Sequence, residues 1–226
     1  MGGSTEQGSR RVPELVIFDL DGTLVDSEPA SLGAWIRAGK EFGLTMSKNE
    51  IGQFVGRNTQ AIAALAHQLY GNDLPFQEIY QRKVEISEAE LRKGIPLKRG
   101  ALEILNKLDQ RSIRRCIATS SSRERAAVLL ETNGLTGFEF IMTGEDIAES
   151  KPHPEIFLKS LERADVAANR AMIIEDSKNG IMAARRSGAV TVLIPDVLEV
   201  DEEMKQQADH RFRSLLELKD YIGNLN

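Results

Sequence analysis

Two kinds of hydrophobic pattern alternate along this chain, and the change from one to the other divides it. Leu15-Val16-Ile17-Phe18 is an unbroken apolar run, partly β-branched, followed at once by Asp19, Asp21 and Gly22. A short apolar run bounded by turn residues reads as a strand covered on both faces. From Pro29 to about Lys93 the apolar residues recur at helical spacing instead. Leu32, Trp35, Ile36 and Gly39 share one face of a helix that Gly43 ends. Ser47-Lys48-Asn49-Glu50 has the form of a capping box and predicts a second helix from Ile51. Further helices are expected over 59–70 and 76–92. The whole block, 29–93, predicts a helical domain inserted after the first strand, hinged near 27–29 and 93–96.

From Pro96 the chain returns to alternating helix and strand. A helix is expected over 100–108 and a strand over 113–119. Ser121-Ser122-Arg123-Glu124, another capping box, starts a helix that Gly134 ends. A weaker strand is expected over 138–142, and Pro154 suits the first turn of a helix running to about Arg163. The remaining strands are 171–174 and 190–194, with a helix over 179–187 and Gly188 behind it. The acidic stretch 196–207 reads as a solvated loop or surface helix. Strand, crossover helix and parallel strand in repetition predict an α/β fold. The expected core is a doubly wound parallel, Rossmann-like sheet made from residues 12–28 and 94–226. Residues 1–11 are Gly/Ser-rich and polar, without the apolar segment of a secretory signal, and are expected to be a disordered leader.

Composition narrows the class of partner. The 226 residues are 41% hydrophobic and 28% charged, with a net charge of −5. No apolar run is long enough to cross a bilayer, and no basic stripe stands out to neutralise nucleic-acid phosphates. Cys116 is the one cysteine, so no internal disulfide can form, and its apolar setting reads as burial. A cytoplasmic monomer acting on a small molecule, away from membranes and nucleic acid, is the expectation.

The chemistry gathers where strands end. Ligands of open α/β sheets bind outside the carboxyl ends of the strands, and Asp19 and Asp21 fall there, two like charges that call for a cation. Three further stretches sit at the ends of expected strands. These are Thr119-Ser120-Ser121, Ser150-Lys151-Pro152-His153-Pro154 and Glu175-Asp176-Ser177. A lysine in a loop is usually a solvated charge, but the prolines on either side of Lys151 stiffen its presentation. His67 and His210 lack partners at metal spacing, and His153 reads as structural.

Asp19-Leu20-Asp21-Gly22-Thr23 resembles the first signature of the haloacid dehalogenase superfamily. Ser120 (with Thr119 as the neighbouring alternative), Lys151 and the pair Glu175-Asp176 resemble its second, third and fourth signatures, in order. The resemblance spans about Glu14 to Gly223, and the family's first subclass carries a helical cap where 29–93 lies. It implies that Asp19 is a nucleophile on phosphorus and Asp21 a general acid and base. It further implies that Ser120 receives a phosphoryl oxygen, with Ser121 beside it as helix cap and substrate contact. Lys151 would stabilise the nucleophile and the transferring group. Asp19, Asp21 (through its backbone carbonyl), Glu175 and Asp176 would form an oxygen-only site suited to Mg²⁺, Glu175 directly or through water.

Within the superfamily the chain is similar to the group of β-phosphoglucomutase and sugar-phosphate phosphatases. The expected activity is Mg²⁺-dependent hydrolysis of a small phosphorylated metabolite, such as a sugar or polyol phosphate, through an aspartyl phosphate. A phosphomutase is the alternative, but Ser31 stands where the mutase has a histidine, and Asp-Gly-Thr is typical of phosphatases. A non-enzymatic binder of phosphorylated ligands would not need Asp21. Gly56 and Arg57, in a loop resembling the group's specificity loop, and Lys83, resembling the mutase's cap lysine, are the expected substrate contacts.

Overall fold

The computed structural model describes residues 11–54, 59–196 and 201–225. The leader expected over 1–11, except Arg11, and the loop residues Gly56 and Arg57 lie outside the described residues.

The first strand, β1 (Leu15–Phe18), is buried along its whole length. Its side chains alternate between two cores. Val16 and Phe18 join one hydrophobic cluster, and Leu15 and Ile17 join another on the opposite face. Period-two alternation with both faces apolar is what a central parallel strand requires. β1 is flanked by β2 (Arg114–Ala118) and β4 (Ala171–Glu175). With β3 (Ile141–Met142), β5 (Val190–Leu193) and β6 (His210–Arg211) they form a six-stranded sheet, order β3-β2-β1-β4-β5-β6. Every pairing is parallel. The expected doubly wound α/β core is therefore present. The order reverses direction at β1, so the carboxyl ends of β1, β2 and β4 meet at the switch point.

Between β1 and the rest of the sheet lie α1 (Glu28–Glu41), α2 (Lys48–Gly52), α3 (Thr59–Tyr70) and α4 (Phe76–Lys93). These helices bury their own apolar faces together, in a cluster that includes Trp35, Ile51, Phe54, Phe76 and Ile79. Trp35 organises it, meeting Phe54 edge-on at 5.1 Å and Tyr80 at 5.9 Å between ring centroids. The two connections to the sheet run side by side. Val25 bridges Leu97 in antiparallel fashion, Asp26 N–H donates to the Pro96 carbonyl at 2.8 Å, and Lys98 N–H donates to that of Leu24 at 2.9 Å.

Among the described residues the remaining α-helices are α5 (Ala101–Gln110), α6 (Arg123–Thr132), α7 (Glu155–Ala164), α8 (Lys178–Ser187), α9 (Glu202–Gln207) and α10 (Leu215–Gly223). Several boundaries differ from expectation. The Ser47–Glu50 capping box is present, but α2 begins at Lys48, because a capping serine starts its helix at the next residue. Ser122, not Ser121, caps α6, and its side chain accepts from the Arg125 N–H. Pro154 is the N-cap of α7 rather than a residue of its first turn. The strand expected over 138–142 is reduced to two residues at the sheet edge. The acidic stretch carries α9, capped by Asp201, and beyond it lie β6 and α10, neither among the expected elements, although Leu215, Leu218 and Ile222 of α10 recur at helical spacing behind the Ser214 cap.

Candidate active site

The β1 strand delivers Asp19 directly past its last residue, tied by its N–H to the Ile174 carbonyl at 3.0 Å. The chain then turns sharply. Gly22 has φ +81°, and its N–H donates to the Val25 carbonyl at 2.8 Å. That backbone is left-handed, where a side chain costs strain. A Cβ on Gly22 would also overlap the Asp176 carboxylate. The Gly in Asp-Gly-Thr thus lets the turn lie against the acid at the end of β4.

Lys151 spans the centre of the site. Its ammonium donates to Asp19 Oδ1 at 2.6 Å, Glu175 Oε1 at 2.6 Å and the Ala118 carbonyl at 3.1 Å. One cation thereby joins the ends of β1, β2 and β4. Burial opposes charge on this ammonium, but Asp19 and Glu175 outweigh it and raise its pKa. Burial also raises Asp19, to about 7, against the pull of Lys151 and with repulsion from Glu175 and Asp21 added.

Asp21 has different surroundings. Its Oδ2 accepts from the Ser121 hydroxyl at 2.6 Å and its Oδ1 from the Arg125 guanidinium at 2.8 Å. Burial works against ionisation here too, yet Arg125, Ser121 and Ser27 outweigh it and hold the carboxyl below its ordinary range. Ser121 therefore holds Asp21 rather than capping α6. Thr119, the alternative for the second signature, is buried and its hydroxyl accepts from the Ser121 N–H at 3.1 Å, which shapes the loop. Ser120 is exposed at the same strand end.

Glu175 is fully buried and its carboxylate is already satisfied. Lys151 holds Oε1, while Oε2 accepts from the backbone N–H of Asp176 and Ser177 and from the Ser177 hydroxyl. Asp176 is less occupied: Oδ1 accepts from the Thr23 hydroxyl at 3.1 Å. Burial, together with repulsion from Glu175 and Asp19, raises Asp176 well above the ordinary range.

Among the described residues, no three His, Cys, Asp or Glu side chains form a group that could hold a metal on their own. Mg²⁺ rarely needs such a cage, since it is commonly bound by one or two carboxylates with substrate oxygens and water. Asp19 and Asp176 are hard oxygen donors raised by burial and by repulsion from neighbouring carboxylates, Glu175 among them for both, and a dication would relieve that repulsion. The donor set fits Mg²⁺.

Lys83, on α4, reaches the same region. Burial and the nearby Arg125 lower its pKa, against the pull of Glu28 and Asp21. Its ammonium lies 5.9 Å from the centre of the Trp35 ring. His153 pairs with Glu149 at 2.8 Å, and His67 and His210 are engaged by Gly71 and Tyr221, away from this chemistry. Sequence reasoning missed Arg125 and gave Thr23 no role of its own. A signal existed for Arg125: with Ser122 as cap, it falls in the first turn of the helix leaving the edge where Asp21 lies.

The sequence matches the haloacid dehalogenase-like hydrolases over residues 16–194, and the chain belongs to that family. It is 30% identical to hexitol phosphatase A of Escherichia coli, over 82% of this chain and 87% of that protein. It is 28% identical to validoxylamine A 7'-phosphate phosphatase of Streptomyces hygroscopicus, over 93% of this chain and 98% of that protein. The fold is similar to that of CbbY from Rhodobacter sphaeroides in complex with phosphate, with TM-score 0.75 and 28% identity, covering 91% and 96% of the two chains.

Proposed function

We propose that this chain is a phosphatase that hydrolyses a sugar or polyol monophosphate through an aspartyl phosphate on Asp19, with Mg²⁺ as cofactor. The observation that carries the reading is the pair of carboxylates two residues apart, each held by its own cation. Asp19 is held by Lys151 at 2.6 Å, and Asp21 by Arg125 at 2.8 Å and Ser121 at 2.6 Å. Names of relatives that act on phosphorylated hexitols and related compounds support the substrate class.

In this reading Asp19 attacks phosphorus, and Asp21 gives a proton to the departing alkoxide. In the second step Asp21 takes a proton from water, which attacks the aspartyl phosphate and releases inorganic phosphate. Lys151 keeps Asp19 aimed and offers positive charge to the transferring group, with Ser120 as a further donor. Asp19, Asp176 and the Asp21 carbonyl would hold Mg²⁺, which supplies charge neutralisation on the phosphoryl oxygens when bound. Glu175, with both oxygens engaged, serves as the strut under Lys151 and Asp176. The helical unit 29–93 acts as a cap that closes over the site, with Lys83 and the loop carrying Gly56 and Arg57 contacting the substrate.

Phosphate release from a panel of sugar, polyol and nucleotide monophosphates, with Mg²⁺ and with chelator, tests this. Metal-dependent release that drops to background in Asp19→Asn, and falls about 100- to 10,000-fold in Asp21→Asn, is expected. Conversion of β-glucose 1-phosphate to the 6-phosphate without release would instead make it a phosphomutase. Release that Asp19→Asn leaves intact would overturn the nucleophile.

A further inference from the structure

Asp196 follows β5 and its side chain is only 6% exposed. One oxygen, Oδ1, is held by the Lys98 ammonium, which also reaches Asp26 at 3.3 Å. The other, Oδ2, is buried and has no hydrogen-bond partner among the described residues. A buried carboxylate oxygen without a donor is costly, and native structures carry few of them. This one has a definite direction. A Cβ on Gly22 would touch Asp196 Oδ2 at 3.1 Å and would overlap Asp176 Oδ2. Two carboxylate oxygens from the ends of neighbouring strands thus face one small space beside the first signature's turn, and glycine keeps that space open.

We infer that Asp196 is a positioning residue for the divalent cation, accepting a hydrogen bond through Oδ2 from a water bound to Mg²⁺. The inference rests on the metal reading proposed above. Bound water gains acidity and seeks an acceptor, and Mg²⁺ retains several waters when protein supplies few ligands. Lys98 fixes the carboxylate from its other side, so the free oxygen has a single orientation. The ion pair also ties the connection between helical unit and sheet to the loop beside the metal.

Calorimetric titration of the full chain with MgCl₂ alone, without substrate, reads this directly. Loss of an outer-sphere partner typically weakens metal affinity about 10- to 100-fold. Asp196→Ala is expected to do so, and Asp196→Asn, which keeps the shape and one acceptor oxygen, to weaken it about tenfold. A merely structural role would lower the melting temperature of the metal-free protein and leave Mg²⁺ affinity in the folded Asp196→Asn variant unchanged. Wild-type affinity in either folded variant overturns the inference while leaving the proposed phosphatase intact. Absence of Mg²⁺ binding by the wild type, on the other hand, overturns both.

Discussion

Asp19 and Asp21 are neighbours in sequence with opposite electrostatic fates. Burial and nearby carboxylates raise the first to about 7. Arg125 and two serines hold the second low in spite of burial. Paired acids whose surroundings push their pKa values apart are how one site separates two roles. Arg125 thus favours the ionised form of Asp21, the form that the proposed base step uses. Arg125→Ala removes the largest influence that keeps Asp21 ionised. The limb of the kcat/KM pH profile that reports Asp21 is therefore expected to move to higher pH; an unmoved profile would deny Arg125 this role. Arg125 and Asp196 illustrate what residue types conceal. A lone arginine in a helix and a lone aspartate in a loop look solvated, and only tertiary packing turns them inward. Asp19, Lys151 and Asp176 were legible because each follows an apolar run or a stiffened loop at a strand end.

The elements matter here for how closely they approach one another. Gly180, in the first turn of α8, lies directly over Glu175, and a Cβ there would overlap its carboxylate. Alanine is the better helix former by up to about 1 kcal/mol. Overpacking against a carboxylate locked by Lys151 and the Ser177 donors costs about 1–3 kcal/mol. The clash is expected to win: Gly180→Ala lowers stability in urea denaturation and displaces Glu175 from Lys151. Equal or greater stability would show that α8 can slide away. Element-level legibility has a matching limit. β1, β4 and the helices at 59–70 and 76–93 follow from apolar runs and periodicity. β6 is two residues, a histidine and an arginine. It has no apolar run to reveal it and exists because β5 offers a free edge.

At the scale of the whole molecule, one buried strand sets the plan. β1 occupies the point where strand order reverses, and its carboxyl end meets those of β2 and β4. The helical unit interrupts the chain immediately after the two acids, buries its own core around Trp35, and returns beside its point of departure at Val25 and Leu97. That arrangement places Lys83 of α4 in the charged neighbourhood of Arg125 and Asp21. The α/β architecture and the inserted helices could be read from the switch between hydrophobic patterns. The electrostatic wiring across the junction, from Lys98 to Asp26 and Asp196, could not, since its partners lie far apart in sequence.

Covalent chemistry at Asp19 can be read on the protein itself. The enzyme is mixed with its best substrate from the panel and Mg²⁺, quenched in acid within one turnover, and reduced with borohydride. An acid-stable, hydroxylamine-labile phosphoenzyme is expected, with residue 19 recovered as homoserine and no such product from Asp19→Asn. Full phosphate release with residue 19 recovered only as aspartate throughout the turnover would contradict it.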